Sequence, residues 1–269
     1  MNTIKQKKQA ALEEKRAVRQ AKNKEVNSYK YLMTISYDGS RYGGYAKQKH
    51  KNTIQNVLEW TLAKLFHEDI KTTESSRTDA KVHALNQKVT FNLNKDIDVV
   101  KTKSILNEML PRDIIIVELE KTLEEFHCRH HVKSKTYSYK ISHTLDPRNR
   151  NYSWYLPKDL DIDKMREASN ILLGTHDFST FKSAKATTES SIRTVNYIEI
   201  NKTGDGVEII INADGFLFNM VRLIVKALVD VGSSKERVSY IKDLLELRQK
   251  PHHLESAPAQ GLCLTDIYY

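Results

Sequence analysis

Apolar residues recur at every second position in several short runs of this chain, and that period confines it to folds built around a β-sheet. Tyr31, Met33, Ile35 and Tyr37 alternate in this way, and Asp38-Gly39 ends the run in a turn. Val89, Phe91 and Leu93 alternate again, as do Tyr137, Tyr139 and Ile141 in the second half. A period of two puts such residues on one face of a strand. Between these runs the period changes. Ile54, Val57, Leu58, Leu62, Leu65 and Phe66 share one helical face, with Asn52 and Gln55 as an Asn variant of the capping box. Further strands are expected at residues 71–75, 114–117, 195–200, 207–213 and 262–268. Further helices are expected at 101–110, 216–231 and 236–247, and one capped at Asp161 or Asp163 that runs to Leu173 and stops at Gly174. Strands and helices mixed in both halves, without long low-complexity linkers, predict an α+β chain of two α/β-sandwich halves side by side, with mostly antiparallel mixed sheets. The halves divide as residues 28–130 and 131–269, after an extension of residues 1–27.

Charge is uneven along the 269 residues, which carry a formal +9. Residues 1–27 hold eight Lys/Arg against three Glu, and the rest of the chain holds 35 basic against 31 acidic side chains. The basic extension reads as a solvated tail, or as an arm that adds RNA affinity without sequence choice. Its Glu13, Glu14 and Glu25 argue against a mitochondrial presequence, and its charges occupy the place of a signal peptide's apolar stretch. No run approaches the roughly 18 apolar residues of a membrane-spanning helix, so no membrane partner is expected. Cys128 and Cys263 are too few for a disulfide framework, which points to a reduced, cytoplasmic compartment.

The segment most suited to chemistry is Arg77-Thr78-Asp79-Ala80-Lys81-Val82-His83, between two expected strands. Arg two residues before Asp79 and Lys two after it are expected to keep the carboxylate ionised. An ionised Asp suits attack or proton abstraction at a sugar carbon better than proton donation. From the residues alone, an Asp in a turn is more often a cap or a surface residue than a catalyst. The cluster His127, Cys128, His130 and His131 lacks a second Cys or a carboxylate at ligand spacing, which argues against zinc. Gly43-Gly44 lacks the strand-loop-helix pattern of a nucleotide fingerprint. His252 and His253 read as exposed loop residues.

The string Ser76-Arg77-Thr78-Asp79-Ala80-Lys81-Val82-His83-Ala84 resembles the GRTDAGVHA signature of TruA-type tRNA pseudouridine synthases. Tyr37 to Tyr45 resembles that family's YDGTxYxGW segment, Phe126-His127-Cys128-Arg129 its FHAR, and Lys135 to Tyr139 its R-x-Y-x-Y strand. Phe218 to Val225 resembles its FxxxMVRxIV helix, and Gly261-Leu262-Cys263-Leu264 its closing GLxL. The resemblance runs from about Tyr31 to Tyr268, everything except the tail.

The resemblance implies a pseudouridine-synthase-like fold with a central RNA-binding cleft, and an enzyme that turns uridine into pseudouridine. The uridines implied are positions 38–40 of the tRNA anticodon stem-loop, with a homodimer, no metal and no cofactor. Ribosomal RNA as substrate, and a non-catalytic RNA-binding protein on the same scaffold, are the competing readings. Carried over, Asp79 is the catalytic carboxylate, and Tyr137 stacks on the base and is a candidate for proton transfer at C5. Arg222 pairs with Asp79, and Arg77 holds the target base out of its stem. His83 either contacts RNA or stabilises its turn, and Leu262 lines the substrate site. The chemical route, addition to C1′ or removal of the 2′ proton, stays open. Three departures stand out: Ser76 and Lys81 replace family glycines, and Tyr45-Ala46 replaces Trp-Gln. A positive φ at position 81 would strain Lys.

Overall fold

The computed structural model describes residues 28–183 and 190–269, so the expected basic extension of residues 1–27 lies outside the described residues. The alternating runs become strands β1 (Tyr29–Tyr37), β2 (Thr72–Glu74), β3 (His83–Leu93), β4 (Ile114–Lys121) and β5 (Ser134–Ser142). Further on come β6 (Trp154–Tyr155), β7 (Gly174–Asp177), β8 (Ile192–Lys202), β9 (Gly206–Ala213) and β10 (Leu262–Tyr268). Helices α1 (Ile54–Phe66), α2 (Val99–Met109), α3 (Ile162–Asn170), α4 (Met220–Gly232) and α5 (Tyr240–Leu247) complete the α+β fold. Among the described residues, no helix is long and apolar enough to cross a membrane.

The strands form one open sheet in the order β4-β1-β3-β10-β5-β9-β8-β7, with β2 beside β3 and β6 beside β5. Pairing is antiparallel except for β10 with β3 and β6 with β5. Tyr31, Met33, Ile35, Tyr37, Val89, Phe91, Leu93, Tyr137, Tyr139 and Ile141 are all buried, as the period of two requires. Burying each such side chain contributes roughly 1.5–3 kcal/mol.

β10 sits where the two runs of strands meet. It pairs with β3 only at Cys263↔His83 and Leu264↔Ala84, then follows β5 from Leu262↔Tyr139 to Tyr268↔Ser134. Beyond Ala84 the same edge of β3 is taken by β2, from Glu74↔Val89 to Thr72↔Phe91. Residues 75–82 leave the sheet in the gap between β2 and β10.

Several element ends differ from expectation. The cap of α1 is Thr53, whose hydroxyl accepts from Asn56 N at 3.3 Å, and not Asn52. Asn52 is occupied one step earlier, where its carbonyl accepts from Gly43 N at 2.8 Å. Helix α3 is capped by Asp161 but ends at Asn170 rather than Leu173. Residues 171–173 form tighter i to i+3 bonds, and Gly174, at φ +88, opens β7. α4 starts four residues later than expected, because left-handed Asn219 (φ 65) ends a turn there. α5 starts at Tyr240, after another i to i+3 turn, Tyr240 N to Arg237 O. β6 and β7 are too short to carry a periodic signal.

Thr53→Ala is expected to lower stability by about 1 kcal/mol, read as a lower melting midpoint. Asn52→Ala should stay within about 0.5 kcal/mol of wild type. Equal losses from the two substitutions would return the cap to Asn52.

Candidate active site

The turn at residues 75–82 is held from several sides. Gln87, fully buried on β3, clamps Ser76 at both ends: its Oε1 accepts from Ser76 N at 3.2 Å and its Nε2 donates to Ser76 O at 2.5 Å. Thr78 O accepts from Tyr45 N at 3.0 Å, and Thr78 Oγ1 lies 2.7 Å from the Tyr37 hydroxyl. Two glycines of the early segment make this approach possible. A Cβ on Gly39 would sit 2.0 Å from Val82 O, and one on Gly44, whose φ is +106, would sit 2.8 Å from Thr78 O. The glycines therefore serve backbone contact with this turn. Lys81 does adopt a left-handed φ of 67, as feared from the sequence, and its N–H donates to Tyr42 O at 3.3 Å.

The turn forms one wall of a cleft of about 840 Å³. Asp79, Arg77, Tyr137, Arg222 and Leu262 all line it, so five of the six residues singled out in the sequence meet there. His83 does not. It lies on a second hollow of about 380 Å³, lined by Ser138 and Lys140 from the opposite face of β5. There its Nδ1 accepts from Gly39 N at 3.1 Å and its Nε2 faces Asn151 O at 2.8 Å, a turn-stabilising arrangement.

Arg222 projects from α4 and is fixed by three neutral acceptors, Ala257 O at 2.6 Å, Asn219 Oδ1 at 2.9 Å and Ser256 Oγ at 3.0 Å. Its Nη1 then lies 3.8 Å from Asp79 Oδ2. That is too long for a hydrogen bond but close enough for Coulomb attraction in a cleft poorly screened by water. Burial raises the Asp79 pKa above its ordinary value, with the Arg222 charge pulling the other way. The expected stabilisation by Arg77 and Lys81 is not what the side chains do. Arg77 Nε turns to Glu74 at 2.9 Å, and Lys81 is exposed. Sequence neighbours in a turn can point apart, and here the buried carboxylate of Glu74 is the stronger attractor.

Across the cleft, the hydroxyl of Tyr137 lies 3.0 Å from Ser76 Oγ, and Phe216 meets its ring edge-on with centroids 5.2 Å apart. Burial pushes the Tyr137 pKa up, so its phenol stays neutral. Glu74, Gln87, Arg129, Lys135 and Phe216 are the site residues that the sequence did not single out. Thr72 and Glu74, alternating inward on a strand, carried the faint signal of a buried acid in need of cations.

Sequence comparisons bear on most of the chain. A family model described as tRNA pseudouridine synthase matches residues 33–131 and 168–269. The chain is 40% identical over 239 residues to tRNA pseudouridine synthase A 2 of Clostridium perfringens (strain 13 / Type A), covering 88% of this chain and 98% of that protein. It is 41% identical over 241 residues to tRNA pseudouridine synthase A 2 of Clostridium tetani (strain Massachusetts / E88), covering 88% and 97% respectively. A solved H/ACA RNP bound to a substrate RNA aligns at TM-score 0.36 and 14% identity, over 74% of this chain and 44% of that one. That likeness is too slight to argue from.

Two measurements test the local physics. A carboxylate whose folded pKa lies above its unfolded one favours the fold when protonated, and that stability is lost as pH rises through the folded pKa. Asp79→Asn is therefore expected to melt above wild type at neutral pH, with the gap closing in acid. A lower melting point at neutral pH would show that the charge is net stabilising. Lys81→Gly is expected to stabilise by roughly 0.5–1 kcal/mol, since left-handed strain outweighs the entropy that Gly adds to the unfolded chain. Unchanged or reduced stability in chemical denaturation would remove the strain argument.

Proposed function

This chain belongs to the tRNA pseudouridine synthase family, and from that premise we propose that its cleft converts uridine to pseudouridine at positions 38–40 of the tRNA anticodon stem-loop, with Asp79 as the catalytic carboxylate. The protein is an RNA uridine isomerase. The observation that carries the site assignment is the isolation of Asp79. It is the one carboxylate among the described residues lining the cleft, and Arg222 stands 3.8 Å away.

A single carboxylate is enough for this reaction. Retaining glycosidases need a second acid to protonate the leaving group, whereas uracil departs as a delocalised anion. Asp79 acts at the ribose while the N1–C1′ bond breaks. The detached uracil turns, C5 bonds to C1′, the C5 proton is lost and N1 gains one. Atoms balance without a co-reactant. Arg222 keeps Asp79 available as a carboxylate, and the burial that raises its pKa makes it the more basic when ionised.

Tyr137 offers its ring for stacking, and a phenol kept neutral suits this better than action as a phenolate base. Leu262 supplies an apolar wall. Arg77, held by Glu74 through Nε alone, keeps its two Nη groups for the place vacated by the flipped base. Flipping costs a few kcal/mol, which contacts to phosphates must offset. Five cations in the lining, Lys51, Arg77, Arg129, Lys135 and Arg222, favour such a polyanion. The same proposal includes a homodimer, supported by the exposed apolar side chains Leu85, Ile115 and Val117 on strands whose neighbouring residues face inward.

Incubating the protein with unmodified tRNA and unmodified ribosomal RNA, then mapping pseudouridine chemically, tests the reading. Wild type should mark tRNA at positions 38–40, and Asp79→Asn should lose at least about 10³-fold in rate, the scale of removing a catalytic group. Product in ribosomal RNA alone would overturn the tRNA assignment. Full activity in Asp79→Asn would overturn the role of the carboxylate.

A further inference from the structure

Beside the catalytic turn, the cleft has a corner whose cations are under-used. Glu74 lies beneath it, buried, and its Oε1 accepts from Arg77 Nε at 2.9 Å and also pairs with Arg129 Nη2. Arg129 Nε adds a longer bond to Glu74 O at 3.3 Å. Lys135, on β5 two residues before Tyr137, lies half-buried in the same wall and donates to Ser75 O at 2.7 Å. An ammonium has three donors and a guanidinium five. Among the described residues, Lys135 thus uses one donor and Arg129 two, leaving two and three without a hydrogen-bond partner in the protein.

The charges do not cancel. The groups facing Lys135 are Arg129 and Arg193, both cations, the Cys128 thiol, and Glu74, whose carboxylate is already shared by two arginines. Burial pushes the Cys128 thiol up, so it adds no negative charge. One carboxylate thus answers for Arg77, Arg129, Lys135 and the nearby Arg193, a local excess of three positive charges in a partly dry wall. Such an excess is costly unless an anion completes it. Among the described residues, the cleft lining offers no carboxylate but Asp79, which faces Arg222.

We propose that Lys135 and Arg129 form a binding subsite for one phosphodiester group of the RNA strand, next to the nucleotide that enters the cleft. A phosphate offers two unesterified oxygens, each able to accept several charge-assisted hydrogen bonds. It would take the free donors of both side chains and offset part of the excess. Glu74 presets Arg129 so that little side-chain freedom is lost on binding. This inference rests on the reading of the cleft as the RNA site.

Lys135 also gives the subsite a signature. Burial, and next to it the Arg129 charge, lower its pKa to about 8. The free protein therefore loses this cation as pH rises through about 8, and a phosphate site built on it weakens over that interval. Arginine at the same position would stay charged throughout.

Binding of an unmodified tRNA transcript to the full chain, measured between pH 7 and 9 and over a series of salt concentrations, tests the proposal. Lys135→Met is expected to weaken binding about tenfold and to make the slope of log K against log salt shallower by about 1. The loss should fall on KM more than on kcat. Lys135→Arg should keep the affinity at neutral pH but remove the fall toward pH 9 that wild type shows. Arg129→Gln should also lower the salt slope. Wild-type affinity and slope in Lys135→Met would overturn the subsite, and so would an unchanged pH fall in Lys135→Arg. If Lys135→Met does not fold, the arginine variant decides the question. Failure of the enzyme reading looks different: wild type would form no pseudouridine, whatever its salt slope.

Discussion

The insertion of the last strand between β3 and β5 is the constraint on which the site depends. Through this strand the sheet passes from the first set of strands to the second, and its registers fix how they face each other. Leu264 pairs with Ala84 on one side and with Tyr137 on the other. That single residue ties the exit of the turn bearing Asp79 to the strand bearing Tyr137. A slip of one residue in either ladder would turn Tyr137 to the opposite face. The short parallel contact with β3 is equally consequential. Had β10 continued along β3, β2 would have no edge to occupy, and the turn that begins just after its last residue would lose its anchor.

That framework lets charges be held where water is scarce. Arg222 is oriented by Ala257, Asn219 and Ser256, and its contact with Asp79 at 3.8 Å is electrostatic only. Asp79 therefore keeps its oxygens free of strong donors while the arginine limits how far burial can raise its pKa. A tight bidentate pair would quench the carboxylate, and no pair at all would leave it protonated more readily. The intermediate distance is set by backbone and neutral side chains.

Much of this was legible in the sequence, for reasons that differ by element. Period-two burial is dictated by sheet geometry, so β1, β3 and β5 could be read directly, and the terminal β10 was located to the residue. The α1 face was readable for the same reason at helical period, while its cap was not, because Asn52 and Thr53 are both good caps and tertiary contact with Gly43 chooses between them. The cleft residues came together from distant segments through resemblance, which periodicity could not have supplied. What failed was inference from adjacency. Arg77 and Lys81 flank Asp79 in sequence but point elsewhere, and Glu74, which captures Arg77, left only the faint signal of alternation on a short strand.

The departures from the family pattern are each accommodated by their own neighbours, and Ser76 illustrates how. A glycine at that position leaves nothing for the Tyr137 phenol to meet, whereas the serine hydroxyl stands 3.0 Å from it. Ser76 itself can sit at the edge of the cleft because Gln87 satisfies both of its backbone groups. The left-handed lysine at position 81 is held by a different contact, its N–H to Tyr42 O, on a segment whose own glycines allow the approach. Strain at Lys81, burial of charge at Asp79 and the excess of cations near Lys135 are each unfavourable alone. They occur within one wall of one cleft, where the surrounding sheet is rigid enough to hold them. Costs of this kind gathered in one wall are the pattern expected where a chain exchanges stability for reactivity.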